Sequence, residues 1–301
     1  MVLRENLSDD TVAPFSMDAA PVRGRIARLG AGALDPILRR HDYPPPVAML
    51  LGEALTLAAL VGSLLKVDGR LVVQAQSAGL VQLLVAEHRG DGGLRGYARL
   101  ADGALETLAR EHRMPPAELL RDGQLVLTLD EGGDAPAYQG VVALEGDTLA
   151  QCAETYFQVS EQTATRIQLA VGEVHGRDGP PLWRSGGMLL QRIAGDAARG
   201  DTEEDWSRAG ILFSTLGDDE LIDPDLPADR LLYRLFHEES VRMGEPSSLI
   251  DRCTCNAERL TGLMRNFSAE EVSDLVEPDG MLHARCQFCA REYLIEPESL
   301  R

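Results

Sequence analysis

The sequence predicts an α+β protein in three parts: an N-terminal domain of mostly antiparallel sheet packed with helices, a helical linker, and a small C-terminal four-cysteine zinc domain. Three observations lead there. Short aliphatic and β-branched runs recur between turn signals, with few helical patterns and no strict alternation of strand and helix, which favours antiparallel over doubly wound sheets. Acidic residues concentrate after residue 195. Four of the five cysteines cluster near the C-terminus, as Cys253-Thr254-Cys255 and Cys286-Gln287-Phe288-Cys289. The parts are accordingly 1–195, 196–250 and 251–301.

Residues 1–20 read as frayed. They mix Arg4, Glu5, Asp9, Asp10 and Asp18 with few apolar residues and lack the basic-then-apolar order of a signal peptide. Val22 to Arg40 is part strand and part amphipathic helix. The prolines Pro44, Pro45 and Pro46 stop one element and open the next, a helix running to about Lys66. Its run Val47 to Leu65 is nearly long enough to span a bilayer. Glu53, Gly52 and Gly62 weaken that reading, so a buried core helix is expected, in a cytoplasmic protein with no membrane partner.

Leu71 to Gln76 and Leu80 to Val85 form a hairpin about Ser77-Ala78-Gly79, and Leu94 to Leu100 a third strand. The glycine-rich loop from Gly90 to Gly93 lacks the lysine and helix of a phosphate-binding loop and reads as a turn. Gln124 to Leu129 pairs with Tyr138 to Leu144. A helix follows from Thr148 to Gln162 with Asp147 as N-cap, then strands Arg166 to Val171 and Gly187 to Ile193. Cys152, in that helix, reads as a small buried apolar residue.

From Asp196 to Ile250 there are 14 acidic residues and 5 arginines, a net of −9. Yet Ile211, Leu212, Leu216, Leu231, Leu232, Leu235 and Phe236 keep helical spacing, unlike a disordered linker. Short amphipathic helices with a self-repelling polar face are marginal alone and need a surface to dock on. An ordinary solvated helical connector is the alternative. His237-Glu238-Glu239 lacks a second histidine at zincin spacing and reads as helix surface. His41, His88, His112, His175 and His283 are scattered, with no evident nucleophile or carboxylate partner.

The cysteines carry the chemistry. Two tight pairs separated by thirty residues can each supply two thiolates to one tetrahedral Zn²⁺. The Cys-x-Cys hook is tighter than the usual Cys-x-x-Cys. A thiolate is both the zinc ligand and the group that oxidants attack, so the site is either a permanent staple or a switch. Between the hooks, Ser268 and Glu271 make a capping box for a helix to about Glu277. Met281 to Arg285 and Glu292 to Ile295 are strands into and out of the second hook. So small a module depends mainly on its metal.

Composition removes rivals. The formal net charge is −19, and residues 251–301 hold 6 arginines against 10 acidic residues, which argues against a zinc-ribbon nucleic-acid module. An odd number of cysteines clustered at metal spacing fits a reducing compartment. A thiol–disulfide oxidoreductase using Cys286-x-x-Cys289 needs a thioredoxin-like setting that the flanks do not provide. Neither a nucleophile elbow nor a metal triad supports a hydrolase, so no enzyme is expected.

With these residues in view, the chain resembles the heat shock protein 33 family of redox-regulated bacterial chaperones. The carriers are the Cys-x-Cys and Cys-x-x-Cys pair, His41-Asp42-Tyr43-Pro44, the run Tyr138 to Leu149, Gly186 to Gln191 and Phe236-His237-Glu238-Glu239. The resemblance spans about residues 20–295. It implies a reduced, zinc-bound, inactive monomer. Peroxide or hypochlorite, with heat or another unfolding stress, then forms neighbouring disulfides, by position Cys253–Cys255 and Cys286–Cys289. Zinc release unfolds the C-terminal domain, and the linker loses its anchor. The resulting homodimer holds unfolding clients without ATP and passes them to ATP-dependent foldases.

Overall fold

A helix that is apolar all round must be covered all round, and that requirement organises the larger part of this chain. The computed structural model describes residues 9–65, 69–111, 114–133, 136–175, 179–193 and 202–300. It places the helix at Pro45–Gly62, with proline in its first turn, where no N–H is missed. By length and composition this helix could cross a membrane, but 83% of it is buried inside the fold. It ends at Gly62, earlier than Lys66, as the chain tightens into Leu64 N–H to Val61 O and Leu65 N–H to Gly62 O turns. Lys66 lies outside the described residues.

The strands follow in order: β1 Thr11–Met17, β2 Val22–Leu29, β3 Arg70–Gln76, β4 Val81–Arg89, β5 Gly93–Leu100, β6 Gln124–Asp130, β7 Tyr138–Ala143, β8 Thr165–Val174, β9 Leu182–Arg192, β10 Val241–Met243, β11 Ser247–Ser248 and β12 Ile250–Asp251. One sheet runs β10-β1-β2-β9-β8, with β11 also on β1, and the other runs β12-β5-β4-β3-β6-β7. Every pairing is antiparallel except β12 with β5. The central helix packs against strands of both sheets. Leu29, Leu55, Leu60, Leu71, Leu127 and Leu189 belong to the shared core. Within it the Thr56 hydroxyl is satisfied by Gly52 O at 2.8 Å and Ser185 Oγ at 2.7 Å.

Two expectations are corrected here. Residues 11–17 are a strand, not a frayed end; residues 1–8 lie outside the described set. Asp10 explains the order. Its carboxylate accepts from the N–H groups of Gly30, Gly32 and Ala33 at 2.8, 2.7 and 2.9 Å, and Asp9 pairs with Arg184. Of the charges read as signs of disorder, Asp10 is the ligand of a turn, and Asp9 and Asp18 each form an ion pair. Second, the N-cap of helix Leu149–Ser160 is Thr148: its extended backbone lets Oγ1 accept from Gln151 N–H at 3.2 Å, while Asp147 N–H donates to the Gln151 side chain.

Residues 202–243 roof the outer face of the first sheet. Helices Glu203–Phe213, Asp218–Ile222 and Ala228–Phe236 set Ala209, Phe213, Leu216, Leu231, Leu235 and Phe236 against a floor containing Ala13, Phe15, Ile26, Met188 and Leu190. Residues 194–201 lie outside the description. By contacts the chain divides at residue 251. The second unit pairs β13 Leu282–Arg285 with β14 Glu292–Ile295. It adds helices Ala257–Met264 and Ala269–Asp274, the latter opened by the Ser268–Glu271 capping box and ending before Glu277. Among the described residues its buried apolar core is Leu282, Ala284 and Ile295, with Leu260, Met264 and Val272 partly buried against it.

Candidate metal centre

The hairpin of the second unit builds one hook. Cys286 follows β13 directly. Its N–H donates to Arg291 O at 2.9 Å, and Ala290 N–H donates to Cys286 O at 2.8 Å, closing a knuckle. Ala290 has φ of 55°, the left-handed turn that lets residues 286 and 289 face one point. The other hook, residues 253–255, precedes helix Ala257–Met264, whose start is held by Asn256 Oδ1 accepting from Arg259 N–H at 2.8 Å.

The hooks meet. The four Sγ atoms of Cys253, Cys255, Cys286 and Cys289 lie within 4.8 Å of one another. Cys253 and Cys286 are 3.8 Å apart, Cys255 and Cys289 3.2 Å. A tetrahedral ion with metal–sulfur bonds of about 2.3 Å needs sulfur–sulfur edges of about 3.8 Å, so the cluster can hold one metal ion with small adjustment. The thiols cannot all ionise unaided. Burial raises Cys255, but hydrogen bonds from Tyr293 and the other three cysteines outweigh it and bring it to about 7. Cys289 is pushed up to about 12, chiefly by burial and by its sulfur neighbours, against a bond from the Arg291 backbone. A bound dication supplies the charge that lets all four become thiolates.

Other candidates fall elsewhere. Cys152 is buried beside Leu149, Leu120 and Pro116, and burial raises its thiol, as suits a small apolar filler. His237 is exposed against Tyr233 O, but Glu239 is buried and bonded to Arg208 at 2.6 Å, which corrects its surface reading. His283 does have a carboxylate partner, Asp279 at 2.8 Å, brought close by the turn before β13. His112 lies outside the described residues.

Sequence reasoning missed the groups that hold the acidic roof. The Arg28 guanidinium donates to the carbonyls of Glu220 and Leu226 at 3.0 Å each, and to Asp223 O. Burial, and Arg184 nearby, lower its pKa to about 10. Arg184 donates to Ile222 O at 2.9 Å, and Gln168 to Leu216 O at 2.8 Å. Gly186 lets the roof come down: a Cβ there would lie 2.0 Å from Leu221 O. These partners are separated by up to nearly two hundred residues, so no local spacing announced them.

An α+β domain under an acidic helical roof, followed by a tetrathiol module, defines a chain that joins a covered apolar sheet to a sulfur-based metal site. The model of the family described as Hsp33 protein matches residues 10–296. A 33 kDa chaperonin of Caulobacter vibrioides is 50% identical over 290 residues, 96% of this chain and 95% of that protein. Another from Serratia proteamaculans is 36% identical, covering 95% and 92%. In fold, the crystal structure of a heat shock protein 33 homolog from Thermotoga maritima matches 97% of this chain and 96% of its own, with TM-score 0.78 at 22% identity. The chain belongs to the Hsp33 family of chaperones.

Proposed function

We propose that this chain is a redox-regulated, ATP-independent holdase. The observation that carries the reading is the roof: residues 202–243 cover an apolar sheet face and lead along the chain into the first cysteine hook. In the reduced state Cys253, Cys255, Cys286 and Cys289 hold one Zn²⁺, the ion an all-thiolate tetrahedral set favours. Each hook gives two electrons to a peroxide or hypochlorite. One thiolate takes the oxygen as a sulfenic acid; its neighbour then attacks that sulfur, closes a disulfide and expels hydroxide. The pairs are those the family resemblance implies, Cys253–Cys255 and Cys286–Cys289. Disulfide sulfurs carry no charge, so the ion is released and the small unit loses its main source of stability. The marginal roof then opens and exposes its own apolar stripe and the sheet beneath to unfolding clients.

Client capture is non-covalent and no reaction is catalysed on the client. The oxidised form works as a homodimer in the cytoplasm and hands clients to ATP-dependent foldases. The functional parts are 1–195, 196–250 and 251–301. The negative charge keeps opened protein and client dispersed.

The test is light scattering from a thermally unfolding client, with zinc release followed by a chromophoric chelator. Suppression of aggregation is expected only after oxidation, together with release of one zinc per chain. Equal suppression by the reduced protein rejects the switch.

A further inference from the structure

We propose that Tyr293 is a positioning residue of the thiol centre, restraining Cys255 through its hydroxyl. The inference rests on the reading of the cluster as an oxidisable zinc site. Tyr293 lies on β14, leaving the second hook, yet its hydroxyl reaches across to the first: 3.1 Å from Cys255 Sγ and 3.2 Å from Cys255 O. Both acceptors belong to one residue, so the phenol ties the hooks together without being a ligand. The phenol has one proton, and both atoms that can accept it belong to Cys255, so the restraint falls on that residue. A metal-bound thiolate has no proton, so the Tyr293 hydroxyl is the donor of that pair, and a charged sulfur is its stronger acceptor.

Two consequences follow. A hydrogen bond to a ligating sulfur stabilises its charge and orients its lone pairs; removing such an outer partner commonly costs ten- to a hundredfold in metal affinity. It also withdraws electron density from sulfur. A peroxide is attacked by that density: Cys255 would bond to one peroxide oxygen, the O–O bond would break, and hydroxide would leave with the electron pair. Tyr293 therefore slows oxidation at Cys255 while the zinc is held. The Tyr293–Cys255 contact thereby raises the oxidant level at which the first hook yields.

The experiment compares full-length wild type with Tyr293→Phe, which keeps the ring's packing near Leu282 and Ile295. Zinc affinity, by competition with a chromophoric chelator, is expected to fall about tenfold or more. Hydrogen peroxide, with timed alkylation and peptide mass mapping, is expected to oxidise Cys255 several-fold faster. Cobalt(II) in place of zinc adds a readout that altered packing would not move: the sulfur-to-metal charge-transfer band shifts to longer wavelength when the hydrogen bond is lost. Placing 3-fluorotyrosine at position 293, which keeps the ring and makes the hydroxyl a stronger donor, should change all three in the opposite direction. It serves if Tyr293→Phe does not fold. Unchanged affinity, Cys255 oxidation rate and band position overturn the proposal. Wild type that neither binds zinc nor releases it on oxidation overturns instead the reading on which it stands.

Discussion

The two units of this chain are stabilised by different physics. The first wraps two sheets around a helix with fifteen buried residues and covers a further apolar face with the acidic roof. Among its described residues the second has a buried core of only Leu282, Ala284 and Ile295. At roughly 1.5–3 kcal/mol for each large side chain, so small a core cannot by itself offset the entropy of ordering the unit, and a structural metal ion is the usual supplement in modules of this size. A hydrophobic core cannot be switched off by a small oxidant. A sulfur-held one can, which is the physical ground for placing the proposed sensor in the second unit and the proposed client surface in the first.

The sharpest way to break this comparison is metal removal. Strong chelation under reducing conditions should unfold the second unit, a loss on the scale of the binding energy itself, while the central helix stays folded. Hydrogen exchange read by mass spectrometry should show protection lost across 257–295 and kept across 45–62. Retained protection in 257–295 would mean that the small core suffices.

Acid probes the large unit through a different weakness. His88 is 3% exposed, its Nδ1 has no hydrogen-bond partner among the described residues, and its ring lies against Gly62. Burial lowers its pKa from 6.5 to about 4, with Asp91 pulling weakly the other way. Above pH 6.5 neither folded nor unfolded chain is protonated there. Between 6.5 and about 4 the unfolded chain takes up a proton that the folded chain refuses, so stability falls, by about 3 kcal/mol in all. Below about 4 the loss levels off. Urea melts followed by tryptophan emission, which reports only Trp183 and Trp206, should show this slope reduced in His88→Gln.

A smaller effect sharpens the roof's place in the comparison. Gly186→Ala puts a methyl 2.0 Å from Leu221 O, a backbone atom with little room to yield. Overpacking of this kind costs about 1–3 kcal/mol. It should loosen residues 202–243 with the thiols reduced and the metal still bound, seen as faster limited proteolysis there. Arg28→Met, which abandons three carbonyls, should act in the same direction. Proteolysis unchanged in both would mean that these contacts do not hold the roof.

The sequence was most legible where structure is local. The hairpin at Ser77-Ala78-Gly79, the β6–β7 pair, the capping box at Ser268 and the meeting of four cysteines all depend on residues few positions apart, or on ligands whose chemistry leaves few partners. The N-terminal charges misled because a carboxylate in disordered chain and one bonded to three backbone N–H groups are the same letter. Glu239 misled for a similar reason: its partner Arg208 lies on another helix.

The residue pattern by itself determined that a long apolar helix would be buried, that an acidic segment with an apolar stripe would need a surface, and that two thiol pairs could meet. Only the tertiary structure decided which surface the stripe covers, that Gly186 and Arg28 admit and hold it, and that Tyr293 reaches Cys255. Periodicity and short spacing encode what a chain does with its neighbours in sequence. Contacts between distant segments are chosen by packing, where a few tenths of an ångström separate a hydrogen bond from a clash.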